Sequence, residues 1–237
     1  MIQIGRISRV VMLGGLVVSL AACGGTGNKR PQFEPNATDQ AWARTISMHL
    51  SDFPRGWQRE KKVTEITRLN CGPSYADLTV TGHVKARGID SPSRFRGKIA
   101  TGSEVAIFES EAQARAAFAL FTSKQAYDCF AKDLAQNYKT RGLRVGPANV
   151  PNGLVESRRL GDRSQSYEFW FSLYRQQRTD TADGVVYELT TIQSGRAVAR
   201  LTTMFYHPGL IPRDVTTGLP SKIAERMAPG KAPASAG

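Results

Sequence analysis

Three strand-like runs in series constrain this chain most. Residues Tyr167 to Tyr174 are rich in aromatic side chains and alternate in strand fashion. Val185 to Gln193 and Arg196 to Tyr206 are β-branched and aromatic-rich, and they flank Ser194 and Gly195 as a two-residue hairpin turn, with Asp183 and Gly184 as the turn before them. Strands joined by such short turns must run antiparallel, because parallel neighbours need a long crossover. With Ser194 and Gly195 as the turn, Thr191 faces Val198, Leu189 faces Arg200, Tyr187 faces Thr202 and Val185 faces Met204 on one side of the sheet. The other side carries Thr190, Ile192, Ala197, Ala199 and Leu201, small enough for a helix to approach, although Glu188 falls opposite Leu201 there and fits poorly.

The rest of the chain supplies two more strands and several helices. Leu78 to Arg87 and Ile99 to Phe108 alternate in strand fashion. Thr38 is placed to cap a helix carrying Trp42 and Ile46, ending before Pro54 and Gly56. Ser110 and Glu111 open a long helix whose stripe is Ala114, Ala117, Phe118, Phe121, Ala126, Cys129, Phe130 and Leu134. Val215, Leu219, Ile223 and Met227 repeat every four residues as a closing helix, despite Gly218 and Pro220. Strands and helices without βαβ alternation predict an α+β fold: one domain, a twisted antiparallel sheet, and helices packed on one face.

The first residues lie outside that domain. Arg6 and Arg9 precede an apolar run, Val10 to Leu20, that ends in Ala21, Ala22 and Cys23. This is the charge, apolar core and small-residue order of a secretory signal, and the run is too short for a stable transmembrane helix. Leu20 to Cys23 resembles the lipobox of a bacterial lipoprotein. The resemblance implies diacylglycerol on the Cys23 thiol, cleavage before Cys23 and further acylation, often by palmitate, of the new N-terminus. Two buried acyl chains hold a protein on a bilayer where one is marginal. The expected organisation is a signal peptide over 1–22, a lipidated tether over 23–38 rich in Gly and Pro, a folded domain over 39–228 and a disordered tail over 229–237. The expected location is the extracytoplasmic face of the cell membrane.

Export also bears on the other two cysteines, Cys71 and Cys129, which are expected to form a disulfide in an oxidising compartment. Closing a loop of about sixty residues contributes about 4 kcal/mol in the chain-entropy model. A catalytic or metal-binding thiol pair would need a CxxC or clustered histidines, and neither is present. The net charge of +12, less the two arginines of the signal, favours anionic lipid or wall polymer as partners; nucleic acid is not expected for a lipid-anchored exported chain, and no protein partner is identified. The cations are scattered over the sequence, as on a solvated basic surface.

Chemistry leaves little trace. HExxH, GxSxG, Walker and EF-hand patterns are absent, and His49, His83 and His207 are far apart and read as surface or helix-face residues. Spacing gives no reason to pair Asp77 with Asp90 or Glu104 with Glu109. No cofactor, metal or catalytic residue is expected, and the chain reads as a non-enzyme.

The run Gly102, Ser103, Glu104, Val105, Ala106, Ile107, Phe108, Glu109, Ser110, Glu111, with Ala112, Ala114, Phe118 and Cys129, resembles the PknH-type extracytoplasmic sensor domain of actinobacterial receptor Ser/Thr kinases and related lipoproteins. Gly161 and Asp162 before the aromatic strand, and Ser194 to Ala199 at the hairpin, extend the resemblance over about Leu50 to Met227. It implies a sheet flanked by helices and a groove that receives a ligand. The sequence departs from the kinase pattern in having no kinase domain, no transmembrane helix, and cysteines for one bridge where the kinase sensor has two.

These readings predict a binding or sensor-like module for an envelope ligand. The alternatives are a structural or protein-interaction lipoprotein, and an envelope hydrolase. The expected groove is the sheet face left open by the helices, lined by Tyr187, Arg200 and Met204 with Trp170 or Tyr174. An apolar surface with one cation suits an acyl chain bearing an anionic head.

Overall fold

A computed structural model of the chain describes residues 31–59, 77–91, 99–140, 143–146, 154–155, 159–175, 182–206, 215 and 218–228. Its strands are β1 (Gln32–Phe33), β2 (Gln58–Arg59), β3 (Thr79–Asp90), β4 (Ile99–Phe108), β5 (Leu143–Val145), β6 (Leu154–Val155), β7 (Arg163–Arg175), β8 (Ala182–Ser194) and β9 (Ala197–Tyr206). The helices are α1 (Ala37–Ile46), α2 (Glu111–Phe121), α3 (Lys124–Thr140) and α4 (Leu219–Met227). The sheet runs β1-β3-β4-β9-β8-β7-β5, with β2 on β3 and β6 on β7, and it does not close. Its pairings are antiparallel except β1 with β3. The fold is α+β in one domain, as the strand and helix signals predict.

Asn36, not Thr38, starts α1. Its Oδ1 accepts from the backbone N–H groups of Thr38 and Asp39, and asparagine is the stronger N-cap of the two. The Asn36 N–H donates to the Thr81 carbonyl at 2.7 Å, pinning the helix start to β3. The approach is so close that a Cβ on Gly82 would lie 2.4 Å from the Asp39 carbonyl oxygen. Asp39 is buried and paired with Arg196, which donates from Nη2 at 2.8 Å and Nη1 at 3.0 Å, so α1 is clamped to the hairpin tip. Gln32 and Phe33 fall in the stretch that composition assigns to the tether. They join the sheet through backbone bonds, Gln32 N–H to Leu78 and Glu34 N–H to Val80, which need no apolar side chains.

The long helical stripe is two helices. Thr122 Oγ1 donates to the Phe118 carbonyl and Ser123 Oγ to that of Leu120, while Ser123 Oγ accepts from the Ala126 N–H. Two consecutive hydroxyl residues thus end α2 and cap α3. Asp183 and Gly184 lie within β8, opposite Leu173 and Ser172, because β7 is long enough to pair with them. The hairpin turn is Gly195–Arg196, with Gly195 at φ +51° and its N–H donating to Asp162 Oδ2. Ser194 therefore pairs with Ala197, and every expected partner moves by two: Tyr187 faces Met204, Leu189 faces Thr202 and Thr191 faces Arg200. A shift of two preserves the faces.

Helices occupy both faces of the sheet, not one. On the first, α1 and α4 bury Val105, Ile107, Val186, Ile192, Ala197, Ala199, Leu201 and Phe205 beneath Trp42, Ile46, Leu219, Ile223 and Met227. On the second, α2 covers Val80, Phe108 and Val198 with Ala114 and Ala117. There α3 covers Phe169, Phe171, Val185, Tyr187, Leu189 and Met204 with Phe130, Leu134 and Tyr138.

Candidate functional site

On the second face one row of paired residues crosses four strands: Lys85 on β3, Glu104 on β4, Arg200 on β9 and Thr191 on β8. His83, two residues before Lys85, reaches Glu104, with Nε2 2.9 Å from Oε1. The other Glu104 oxygen, Oε2, lies 3.9 Å from Arg200 Nη1, an ion-pair separation too long for a hydrogen bond. Burial alone would push the Glu104 carboxyl up. The His83 bond and the nearby cations Arg200 and Lys85 outweigh it and hold the carboxyl below the usual glutamate range.

Arg200 is the unusual member. Its side chain is 11% exposed, and its guanidinium carbon lies 4.6 Å from the centre of the Phe121 ring, at the last turn of α2. Its Nε is buried and has no hydrogen-bond partner among the described residues. Beside it lies Gly102, opposite Thr202 on the same face: among the described residues an added Cβ would meet nothing within 4 Å. The result is a cation held against an aromatic ring, a carboxylate already engaged by His83, and a glycine beside them on the same face.

The structure separates the five residues expected to line one groove. Tyr187 and Met204 do share the face of Arg200, but they are 2% and 7% exposed and sealed under α3. The Tyr138 hydroxyl bonds that of Tyr187 and donates to the Met204 sulfur at 3.8 Å. Trp170 and Tyr174 pair with Val186 and Ala182 and therefore project from the opposite face. The acyl groove fails because it required an uncovered face, and α3 covers it. Cys23, Cys71 and His207 lie outside the described residues; Cys129 is buried on α3. His83, read as a surface residue, is the partner of Glu104, and Phe121, read as core, stacks on Arg200.

Trp170, 40% exposed, shares its face with Glu168, Glu188 and Tyr174, whose ring carries Arg144 at 4.9 Å. Glu168 and Glu188 are directly opposed. Burial first, and the Glu168 charge second, push the Glu188 carboxyl up to about 7 against a lowering bond to Thr190. Among the described residues no group of three His, Cys, Asp or Glu side chains is placed to hold a metal, and no helix is long and apolar enough to cross a membrane.

No family model matches the sequence, and no curated protein matches it. Among solved structures, the chain is similar to the extracellular domain of PknH from Mycobacterium tuberculosis, at 11% identity, covering 82% of this chain and 97% of that one with a TM-score of 0.39. It is also similar to LpqN, involved in cell envelope biogenesis of the same organism, at 11% identity over 72% of this chain and 76% of that one, with a TM-score of 0.26.

Proposed function

We propose that this chain is a lipid-anchored, extracytoplasmic binding module whose folded domain takes an anionic envelope ligand at Arg200. One observation carries the reading: a cation, Arg200, is held against the Phe121 ring on the same sheet face as Gly102, where an added Cβ would meet nothing within 4 Å among the described residues. The anchor rests on the sequence Leu20-Ala21-Ala22-Cys23. An acyl chain is not part of this reading, since the apolar residues expected to hold it are under α3.

Native mass spectrometry of the full-length protein, extracted from membranes in a neutral detergent, tests it. A stoichiometric anionic adduct that disappears in Arg200→Gln, with the melting temperature kept, supports the module. A copurifying protein partner with no such adduct overturns it in favour of a structural or interaction role.

A further inference from the structure

Resting on the lipid anchor of the reading above, we propose that the β1 edge of the sheet lies against the bilayer, with Phe33 as a second contact that enters the interface beside the acyl chains. Phe33 is 55% exposed, more than any other large apolar residue among those described. Its backbone is held on both sides. Gln32 N–H donates to the Leu78 carbonyl at 2.9 Å, Glu34 N–H to that of Val80 at 3.0 Å and Asn36 N–H to that of Thr81 at 2.7 Å. The side chains of Gln32 and Glu34 bond each other, and strand alternation places Phe33 on the other side of β1 from both. An aromatic ring is thus presented in a fixed position at the outermost strand of the sheet.

Its place in the chain names the partner. Phe33 comes ten residues after Cys23, a stretch that spans at most about 35 Å when fully extended. Trp170, the next most exposed, lies on β7, five strands away in the order β1-β3-β4-β9-β8-β7, or about 24 Å at about 4.8 Å per strand. One aromatic ring cannot hold a protein on a bilayer, where even a single acyl chain is marginal. Joined to an anchor within that reach, it engages as an intramolecular step, with no further loss of translational freedom. Lys29 and Arg30, between the anchor and Phe33, add attraction to an anionic leaflet.

Fluorescence of the lipidated protein, purified from membranes and reconstituted in phosphatidylcholine vesicles, tests the contact. Phe33→Trp adds one fluorophore at the β1 edge, and wild type in the same vesicles gives the background from Trp42, Trp57 and Trp170. In vesicles whose acyl chains are brominated, the added emission should fall about twofold or more. Wild-type emission should barely change, because Trp42 and Trp57 are buried and Trp170 stands about 24 Å from β1. Protein that does not float with the vesicles overturns the anchor, and the contact with it. Protein that floats while the emission added by Phe33→Trp stays unquenched overturns the contact and leaves the anchor standing. Wild type quenched as strongly as the variant does the same, since the domain then rests on another edge.

Discussion

Replacing Glu188 by glutamine should stabilise the protein, and only above mildly acidic pH. Glu188 and Glu168 face each other across β7 and β8, and like charges directly opposed in a sheet are unfavourable. The Glu188 carboxyl rises from an ordinary value of 4.5 to about 7, with burial the larger cause and Glu168 the smaller. A raised folded pKa means that the folded state binds the proton more tightly than the unfolded chain. The stability linked to that proton is present in full below about pH 4.5 and lost as pH rises to about 7. At about 1.4 kcal/mol per pH unit, the loss reaches about 3 kcal/mol. Glu188→Gln keeps the shape and a hydrogen-bonding group for Thr190 but has no proton to lose. Urea unfolding of both proteins at a series of pH values should show curves that coincide near pH 4, diverge steadily from there, and stay apart by up to about 3 kcal/mol above pH 7. Asp52 and Glu104, held below the usual carboxylate range, titrate with the opposite sign, but they do so in both proteins and cancel in the difference. Glu168→Gln removes only the smaller cause and should gain less. A difference that does not change with pH, or a variant less stable at pH 8, would refute the reasoning.

Three further outcomes follow from the sequence and the packing. Cys23→Ala should abolish labelling by a palmitate analogue in growing cells; equal labelling of both proteins would remove the anchor. Changing Cys71 and Cys129 together to alanine should lower the melting temperature while sparing anion binding, and peptide mapping that finds both thiols free in exported protein would rule the bridge out. Gly82→Ala should cost about 1–3 kcal/mol in urea unfolding, because the new Cβ meets the Asp39 carbonyl oxygen at 2.4 Å and α1 must move; a neutral result would mean that the helix start yields freely.

Local pattern carries far in this chain because its faces are robust to small errors. Moving the hairpin turn from Ser194–Gly195 to Gly195–Arg196 shifts every partner by two, so Ile192, Ala197, Ala199 and Leu201 stay on the face under α1 and α4. The bounds of β4, Ile99–Phe108, and the four-residue repeat through α4 are legible for the same reason: each element states its own period. The break between α2 and α3 is less visible, since Phe118, Phe121, Ala126 and Phe130 continue one apolar stripe across it, and only the adjacent hydroxyls of Thr122 and Ser123 mark the stop. The expectation of an open face conflicts with β8 itself. Val185, Tyr187 and Leu189 are apolar on the supposedly open side, and a run of large apolar residues on one strand face is covered.

The site is harder to read because it exists only in the register between strands far apart in sequence. Glu104 and Arg200 come from β4 and β9, Lys85 from β3, and no local spacing relates them. With the turn placed one residue early, Arg200 falls beside Leu189, an apolar neighbour that suggests a lone cation above an acyl groove. In the observed register it falls beside Thr191 and, across the other edge of β9, beside Glu104. The faces survive that displacement, but the identity of each neighbour does not, and chemistry depends on neighbours. One trace of the site is nonetheless present in the strand itself. Glu104 interrupts Gly102-Ser103-Glu104-Val105-Ala106-Ile107 on the side opposite Val105 and Ile107, the side that Gly102 shares. A carboxylate set into a strand buried on its other face needs a cationic partner on the same face, and Arg200 is the partner that the neighbouring strand supplies.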